Sequence, residues 1–127
     1  MGRVVLDSSV VIALLNPQDK HHRSVVTYIS NAGENEYLIS AITLAESVSK
    51  PGQSAKSELI VREIQSRVHA VVDLDSDIAM SAGKLRASKD LGLPDALIAA
   101  TALALEAEVW TTDKKFANNY KPAKYLG

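Results

Sequence analysis

The stretch LGLPDALIAATALALEAEVWTTD, residues 91–113, predicts a buried helix followed directly by a buried strand. Pro94 suits the first turn of a helix, because an N–H at that position would have no intrahelical acceptor. From Pro94 to about Glu106 nearly every residue is Ala, Leu or Ile, so we expect this helix to be buried on most sides. The EVWT that follows predicts a strand. An acid stands at the start of the helix, Asp95, and another directly after the strand, Asp113.

The rest of the chain alternates strand-like and helix-like segments in the same manner. Short apolar runs predict strands at residues 3–6, 36–40, 69–74 and 108–111, with a further one in the tail at 123–126. Helical spacing and end signals predict helices from Ser8 or Ser9 (as the cap) to 15, and at 20–31, 41–49, 54–67, 76–91, 94–106 and 113–119. This alternation predicts a single α/β domain over residues 1–127, with a mainly parallel sheet of four or five strands flanked by helices.

Length and composition exclude several classes of protein. A chain of 127 residues fits one domain, and 46% hydrophobic residues suffice for a core. The absence of cysteine excludes disulfides, zinc–thiolate sites and thiol nucleophiles. No apolar stretch approaches the ~20 residues of a membrane span, and the N-terminal apolar run ends in Asp7 rather than in a cleavage site for a signal peptidase. We therefore expect a soluble, cytoplasmic protein with no membrane partner.

Four acids follow predicted strands or lie in the first turns of predicted helices: Asp7, Glu46, Asp95 and Asp113. Sites in open parallel sheets form outside the carboxyl ends of the strands, so we expect these side chains to converge there. Two carboxylates ~4 Å apart repel by roughly 4 kcal/mol at an effective dielectric near 20, and several such pairs would rival the ~5–15 kcal/mol that holds a domain folded. Either some carboxylates bind protons, or a cation neutralises them.

A cation held only by oxygen ligands is expected to be Mg²⁺ or Mn²⁺ rather than a softer metal. Magnesium usually keeps waters and shares its coordination sphere with substrate phosphates. The four acids therefore predict a divalent-metal site that carries out phosphoryl chemistry.

Each acid also has a purely structural explanation. Thr43 and Glu46 match the spacing of a capping box, Asp95 would be stabilised by the helix dipole alone, and Asp113 and Asp7 could cap helices. Taken singly, each structural role is the stronger interpretation. Four such residues at one predicted sheet edge favour a functional site.

The net charge of −1 conceals an uneven distribution, because setting the four acids aside leaves 14 basic against 11 acidic residues. Residues 114–127 hold four lysines and no acid, and Lys84, Arg86 and Lys89 precede Asp95. Basic residues around an acidic metal centre suit a polyanion held next to a cation. An ordinary solvated surface explains the charges alone equally well.

Together these segments resemble the PIN-domain nucleases and, within them, the VapC-type toxins of prokaryotic toxin–antitoxin pairs. The resemblance rests on VVLDSSVVIALL near the start, ITLAES around Glu46, LGLPDALIAATALALEAEVWTTD and the later Phe116, and it spans nearly the whole chain. It implies a PIN-like fold and an Mg²⁺- or Mn²⁺-dependent endoribonuclease. Its catalytic acids would be Asp7, Glu46, Asp95 and Asp113, of which Asp7, Asp95 and Asp113 would be metal ligands, directly or through water.

The resemblance also assigns supporting residues. Ser9 matches the small polar residue that often follows the first acid, and Thr111 matches the threonine two positions before the last, so both are expected to orient ligands or water. Relatives often carry a further acid directly before the aromatic residue that corresponds to Phe116. Here that position is Lys115, so we expect a weak or absent second metal site.

The implied partners are an RNA substrate, a second copy of the chain and a cognate antitoxin whose basic segment reaches the acidic site. Lys114, Lys115 and Arg86 are expected to contact RNA phosphates. Two alternatives stay open. One is a PIN nuclease for RNA maturation without a toxin role, and the other is a non-catalytic module that binds RNA or protein and whose acids are only caps.

Overall fold

The computed structural model describes residues 2–49 and 54–127, which fold around a five-stranded sheet in the order β3-β2-β1-β4-β5. All four neighbouring pairs of strands are parallel. The strands are β1 Gly2–Leu6, β2 Asn35–Ser40, β3 Ala70–Val72, β4 Glu108–Thr111 and β5 Ala123–Tyr125. The α/β class and the parallel sheet are therefore as predicted, with the tail forming the fifth strand.

Helices connect the strands and cover both faces of the sheet. In the part of the chain that the structure describes they are α1 Ser8–Leu15, α2 His22–Asn31, α3 Ala41–Ser47, α4 Ser57–Arg67, α5 Ser76–Ser88, α6 Leu93–Ala104 and α7 Lys114–Asn119. A short 3-10 turn, Ser54–Lys56, precedes α4, so the helix predicted over 54–67 begins three residues later than expected.

Other predicted boundaries need correction for local reasons. The strand predicted over 69–74 is only three residues long, because β3 is an edge strand that pairs with β2 alone. The helix predicted to reach 91 ends at Ser88, since Lys89 adopts an extended conformation. At the start of α1 the capping position is Asp7 rather than Ser8 or Ser9, and its side chain makes no capping hydrogen bond.

Proline determines how α1 ends and how α2 is attached to it. The carbonyl of Ala13 would normally accept a hydrogen bond from the fourth residue after it, but that residue is Pro17, which has no N–H. His22 Nδ1 lies 2.6 Å from this carbonyl and fills the role of donor. The first residue of α2 is thereby fixed against the last turn of α1.

The core has two halves, one on each face of the sheet. On one face Val5 packs with α5 and α6, including Ile98. On the other face Val4 and Leu6 pack with α1, α2 and α4, and with Trp110 of β4. Most of the apolar run of α6 is buried as predicted, between Ala96 and Ala102, but Leu103 near its end is 55% exposed. In the described ranges, no helix has the length and apolar character needed to cross a membrane.

Candidate active site

Asp7 lies at the carboxyl end of β1, in the middle of the sheet, and is 4% exposed. Its backbone N–H donates to the Trp110 carbonyl at 2.9 Å, which fixes it beside the end of β4. Burial raises the pKa of this carboxyl, whereas hydrogen bonds from Ser9 and Thr111 act in the opposite direction. The fold thus places a buried carboxyl at the edge where the sequence predicts a site.

Two hydroxyls fix the orientation of the Asp7 side chain. Ser9 Oγ and Thr111 Oγ1 both donate to Asp7 Oδ2, each at 2.7 Å. The same two oxygens accept backbone hydrogen bonds from the turn after β4, Ser9 from Thr112 N–H at 3.0 Å and Thr111 from Asp113 N–H at 3.0 Å. Ser9 and Thr111 therefore hold both the first acid and the loop that carries the last one.

The capping-box interpretation of Glu46 is wrong. The residue that caps α3 is Ser40, whose Oγ accepts from Ile42 N–H at 3.3 Å, so Thr43 lies inside the helix and Glu46 near its end. Glu46 Oε1 instead accepts a hydrogen bond from Ser8 Oγ at 2.5 Å. The carboxylate is therefore free of a capping role and is joined to the residue directly after Asp7.

Ser8 is a site residue that sequence reasoning missed. Its Oγ lies 2.5 Å from Glu46 Oε1 and 3.1 Å from the buried Thr43 Oγ1. Ser8 has one hydroxyl proton, which it can donate to either of these two oxygens, and the contact with Glu46 is the shorter. The only sequence signal was the position of Ser8 between the predicted acid and Ser9, and it does not reveal which helix the side chain would meet.

Asp95 occupies the first turn of α6, directly after Pro94, and its side chain is half-buried. The pKa of its carboxyl is raised to about 7, first by burial and then by the negative charges of Asp7, Asp113 and Glu46. A helix N-terminus alone would stabilise the carboxylate and lower its pKa. Burial and the neighbouring carboxylates raise the pKa of Asp95 by more than the helix N-terminus lowers it. The four acids therefore share one electrostatic environment.

Asp113 caps α7 and also belongs to the acidic cluster. Its Oδ1 caps α7 by accepting from Lys115 N–H at 2.9 Å and Phe116 N–H at 3.3 Å, so the capping interpretation of this residue is confirmed. The same exposed carboxylate raises the pKa of Asp95. Since the described hydrogen bonds engage only Oδ1, capping leaves the second oxygen available.

The donor set suits a hard divalent cation that keeps part of its water shell. Among residues 2–49 and 54–127, no three His, Cys, Asp or Glu side chains are close enough together to hold a metal ion by themselves. Magnesium is commonly held through one or two carboxylates, with waters and substrate phosphates completing its coordination. Carboxylates that lie at one edge without touching, and that raise the pKa of Asp95, fit this mode of binding.

Of the three predicted phosphate contacts, only Lys115 acts on the acidic cluster, because its charge lowers the pKa of Asp95. Lys115 Nζ also lies 3.6 Å from an Asp90 carboxylate oxygen in an exposed ion pair, an arrangement that contributes little to stability. Lys114 lies over the Tyr125 ring, 5.7 Å from its centroid. Arg86 Nε donates to the Leu91 carbonyl at 3.4 Å, before the start of α6.

Several solved structures share this fold, all at low sequence identity. A toxin–antitoxin complex from Klebsiella pneumoniae aligns with a TM-score of 0.79 at 24% identity, over 98% of both chains. DNA-bound VapBC from Salmonella typhimurium aligns at 0.74 and 23% identity over 100% of both chains. The VapC20 toxin of Mycobacterium tuberculosis, described as cleaving the sarcin–ricin loop, aligns at 0.75 and 16% identity over 91% of this chain and 93% of that one.

No curated protein sequence matches the chain at a significant level. The family model of the PIN domain matches residues 4–122 and so includes all four acids at the carboxyl edge of the sheet. This match extends over nearly the whole chain, and the five-stranded parallel sheet is the fold that the resemblance predicted. The chain belongs to the PIN domain family.

Proposed function

We propose that this protein is an Mg²⁺- or Mn²⁺-dependent endoribonuclease that hydrolyses RNA phosphodiester bonds and acts as the toxin of a type II toxin–antitoxin pair. The single observation that carries the proposal is the shared environment of Asp7, Glu46, Asp95 and Asp113. Burial, and then the charges of the other three carboxylates, raise the pKa of Asp95 to about 7. Such an arrangement opposes folding unless a cation or protons neutralise it, and membership of a nuclease family explains why it exists.

Asp7, Asp95 and Asp113 would hold the cation, directly or through water. When bound, the cation polarises a phosphoryl oxygen and lowers the pKa of a bound water. Asp7 is already oriented by two hydroxyl donors, so little rearrangement is needed to present its other oxygen. Asp95 would lose its proton as the cation binds, since a nearby positive charge favours the carboxylate.

Glu46 would be a further ligand or would orient the attacking water. Its Oε1 is held by Ser8, which fixes the side chain at the edge of the cluster and leaves Oε2 to contact water or metal. The charge of Lys115 lowers the pKa of Asp95. Lys115 would hold a phosphate next to the cleaved bond. Lys114 and Arg86 are proposed to contact phosphates further along the RNA.

The toxin role is supported by the neighbours in structure, two of which are toxin–antitoxin complexes and one of which is a toxin that cleaves the sarcin–ricin loop. By this analogy we propose a cytoplasmic homodimer that binds a cognate antitoxin. Toxicity on expression, relieved by the product of a neighbouring gene, is the expected result. Growth unaffected by expression of an RNA-cleaving protein would favour a nuclease of RNA maturation instead.

The activity itself is tested on the purified protein. We expect cleavage of single-stranded RNA with Mg²⁺ or Mn²⁺, none in EDTA, and none by the Asp95→Asn variant with either metal. A thermal melt of the wild type with and without millimolar Mg²⁺ or Mn²⁺ tests the remaining alternative, a non-catalytic binding module. No shift with either metal and no cleavage would mean a non-catalytic module whose acids are only structural.

A further inference from the structure

A groove of about 690 Å³ lies between α2 and the residue after β5, outside the acidic cluster. Its lining includes Lys20, Arg23, Ser24, Tyr28, Asn31 and Leu126. Two of these residues are cationic, and none of the described residues that line the groove is acidic. The charges of the groove lining therefore favour an anionic ligand over a cationic one.

Cations and aromatic rings are paired on both sides of the neighbouring strand β5. Lys124 Nζ lies 5.3 Å from the centroid of the Tyr28 ring in the groove, and Lys114 Nζ lies 5.7 Å from that of Tyr125. Adjacent residues of a strand point to opposite faces of its sheet, so Lys124 and Tyr125 face opposite ways. Two pairs of lysine and tyrosine thus border the outer edge of the sheet.

One contact joins this groove to the acidic cluster. The backbone N–H of Leu126, which lines the groove, donates to the Thr111 carbonyl at 2.8 Å. The side chain of the same threonine donates to Asp7 Oδ2 at 2.7 Å. On the other face of β5, Lys114 directly follows Asp113. The groove and the two lysine–tyrosine pairs therefore lie directly beside the acidic cluster.

We propose that the groove between α2 and β5 binds the segment of single-stranded RNA next to the cleaved phosphodiester, an inference that rests on the proposed ribonuclease function. Phosphates would lie on Lys20, Arg23 and Lys124, and a base would stack on Tyr28 in place of the Lys124 side chain. A positive groove with aromatic rings is the usual means of binding single strands without reading their sequence. Duplex RNA does not offer unstacked bases to such rings.

One acid lies near this surface, but it is partly engaged elsewhere. Glu108 Oε1 accepts from Trp110 Nε1 at 3.0 Å. The pKa of Lys124 is raised above its ordinary value, mainly by Tyr28 and to a smaller extent by Glu108. Lys124 therefore remains an ammonium group that can pair with a phosphate.

The test compares two double variants that change the net charge equally. Arg23→Ala with Lys124→Ala removes one cation that lines the groove and the cation that lies over Tyr28 at its border. Lys56→Ala with Arg62→Ala removes two exposed cations from the region of α4. Both are made in full-length protein that carries Asp95→Asn, and binding of labelled single-stranded RNA is measured by fluorescence anisotropy in EDTA. The oligonucleotides have about 12 and about 3 nucleotides, so that only the longer one can reach beyond the acidic cluster.

We expect the groove variant to bind the longer RNA about tenfold more weakly, with the slope of log K against log salt reduced by about 1. The affinity of the α4 double variant for the longer RNA should stay within about twofold of that of the Asp95→Asn protein. The two double variants should bind the short RNA with equal affinity. Equal affinity and equal salt slope for both double variants would overturn the proposal. Unchanged RNA binding together with loss of a dimer in sedimentation would instead assign the groove to a second copy.

Because binding is measured without cleavage, this test is independent of the activity. A wild-type protein that cleaves no RNA, while its groove variant still loses affinity for the longer RNA, would refute the proposed nuclease function and keep the groove as an RNA-binding surface. Cleavage by the wild type with no role for the groove would refute only the inference about the groove.

Discussion

Ser8 Oγ and Glu46 Oε1 lie 2.5 Å apart and join the N-terminus of α1 to the last turn of α3. The contact brings the second predicted acid to the residue that follows the first one. It also explains why Glu46 points towards the carboxyl edge of the sheet, although α3 on its own would allow a solvent-facing orientation. Ser8 is therefore expected to position Glu46 for the reaction.

Ser8→Ala should lower the rate of RNA cleavage by about tenfold, because Glu46 then lacks the donor that holds it. The loss should appear in kcat and in the metal concentration needed for half-maximal rate, with KM for RNA nearly unchanged. Ser8→Thr keeps the hydroxyl and is the matched control, which should retain most of the activity. Equal activity of Ser8→Ala and the wild type at all metal concentrations would show that the contact is only structural.

Asp95 should make stability depend on pH in a direction opposite to that of an ion-paired carboxylate. Its pKa is about 7 in the folded protein against 3.8 for the unperturbed group, so the folded state binds more protons between these values. Stability in the absence of metal should therefore fall as the pH rises through this window. Asp95→Asn removes the effect and should stabilise the protein by about 1–2 kcal/mol at about pH 8, after discounting for partial exposure, but hardly at all near pH 4.

Urea denaturation in EDTA at several pH values measures this difference. Asp113→Asn is not a suitable control, because it alters the cap of α7. Asp90→Asn changes an exposed carboxylate whose ion pair, in the part of the chain that the structure describes, is with Lys115, so its effect should be small at all pH values. If the free energies of unfolding of Asp95→Asn and the wild type differed by the same amount from acid to alkaline pH, the raised pKa of Asp95 would be contradicted.

The order and type of the elements could be predicted from the sequence because the apolar runs of α6 and of the strands are strong, local signals. The convergence of Asp7 and Asp113 could be predicted from the parallel sheet, since acids that follow parallel strands meet at one edge. The sheet alone does not place Asp95, because α6 follows α5 and not a strand. The partners of Ser8 and the capping of α3 by Ser40 could not be predicted. They depend on how α1 and α3 pack together, and a single serine gives no local signal of that contact.

Thr111→Val should destabilise the protein by about 1–3 kcal/mol, although it conserves shape. The threonine is fully buried, its hydroxyl donates to Asp7 Oδ2, and it accepts from Asp113 N–H. The valine would leave the buried Asp7 carboxyl without this donor and the Asp113 N–H without this acceptor. Thr101→Val is the matched control, because Thr101 is equally buried and its hydroxyl donates to the Leu97 carbonyl within its own helix rather than to a carboxylate of the site.

Chemical denaturation of the two valine variants gives the comparison directly. We expect Thr111→Val to lose more stability than Thr101→Val and also to lose cleavage, since the orientation of Asp7 would change. Similar stability for the two variants, with cleavage intact in Thr111→Val, would mean that Asp7 is held by Ser9 and the backbone alone.

Lys115→Glu should strengthen metal binding and weaken RNA binding. It replaces the cation that lowers the pKa of Asp95 with an acid at the position where the resemblance to PIN nucleases leads one to expect it. The stabilisation by a ligand grows as RT ln(1 + [L]/Kd), so the shift in melting temperature at a given millimolar Mg²⁺ or Mn²⁺ concentration should exceed that of the wild type. Without metal the variant should be less stable, because another negative charge joins the cluster.

Lys115→Gln separates the loss of the cation from the gain of an acid. It should weaken RNA binding as Lys115→Glu does, with a smaller gain in metal-induced stabilisation. If Lys115→Glu shows no larger metal-induced shift than Lys115→Gln, position 115 lies too far from the bound cation to act as a ligand. The chain would then use a single metal position formed by Asp7, Asp95 and Asp113, whatever residue precedes Phe116.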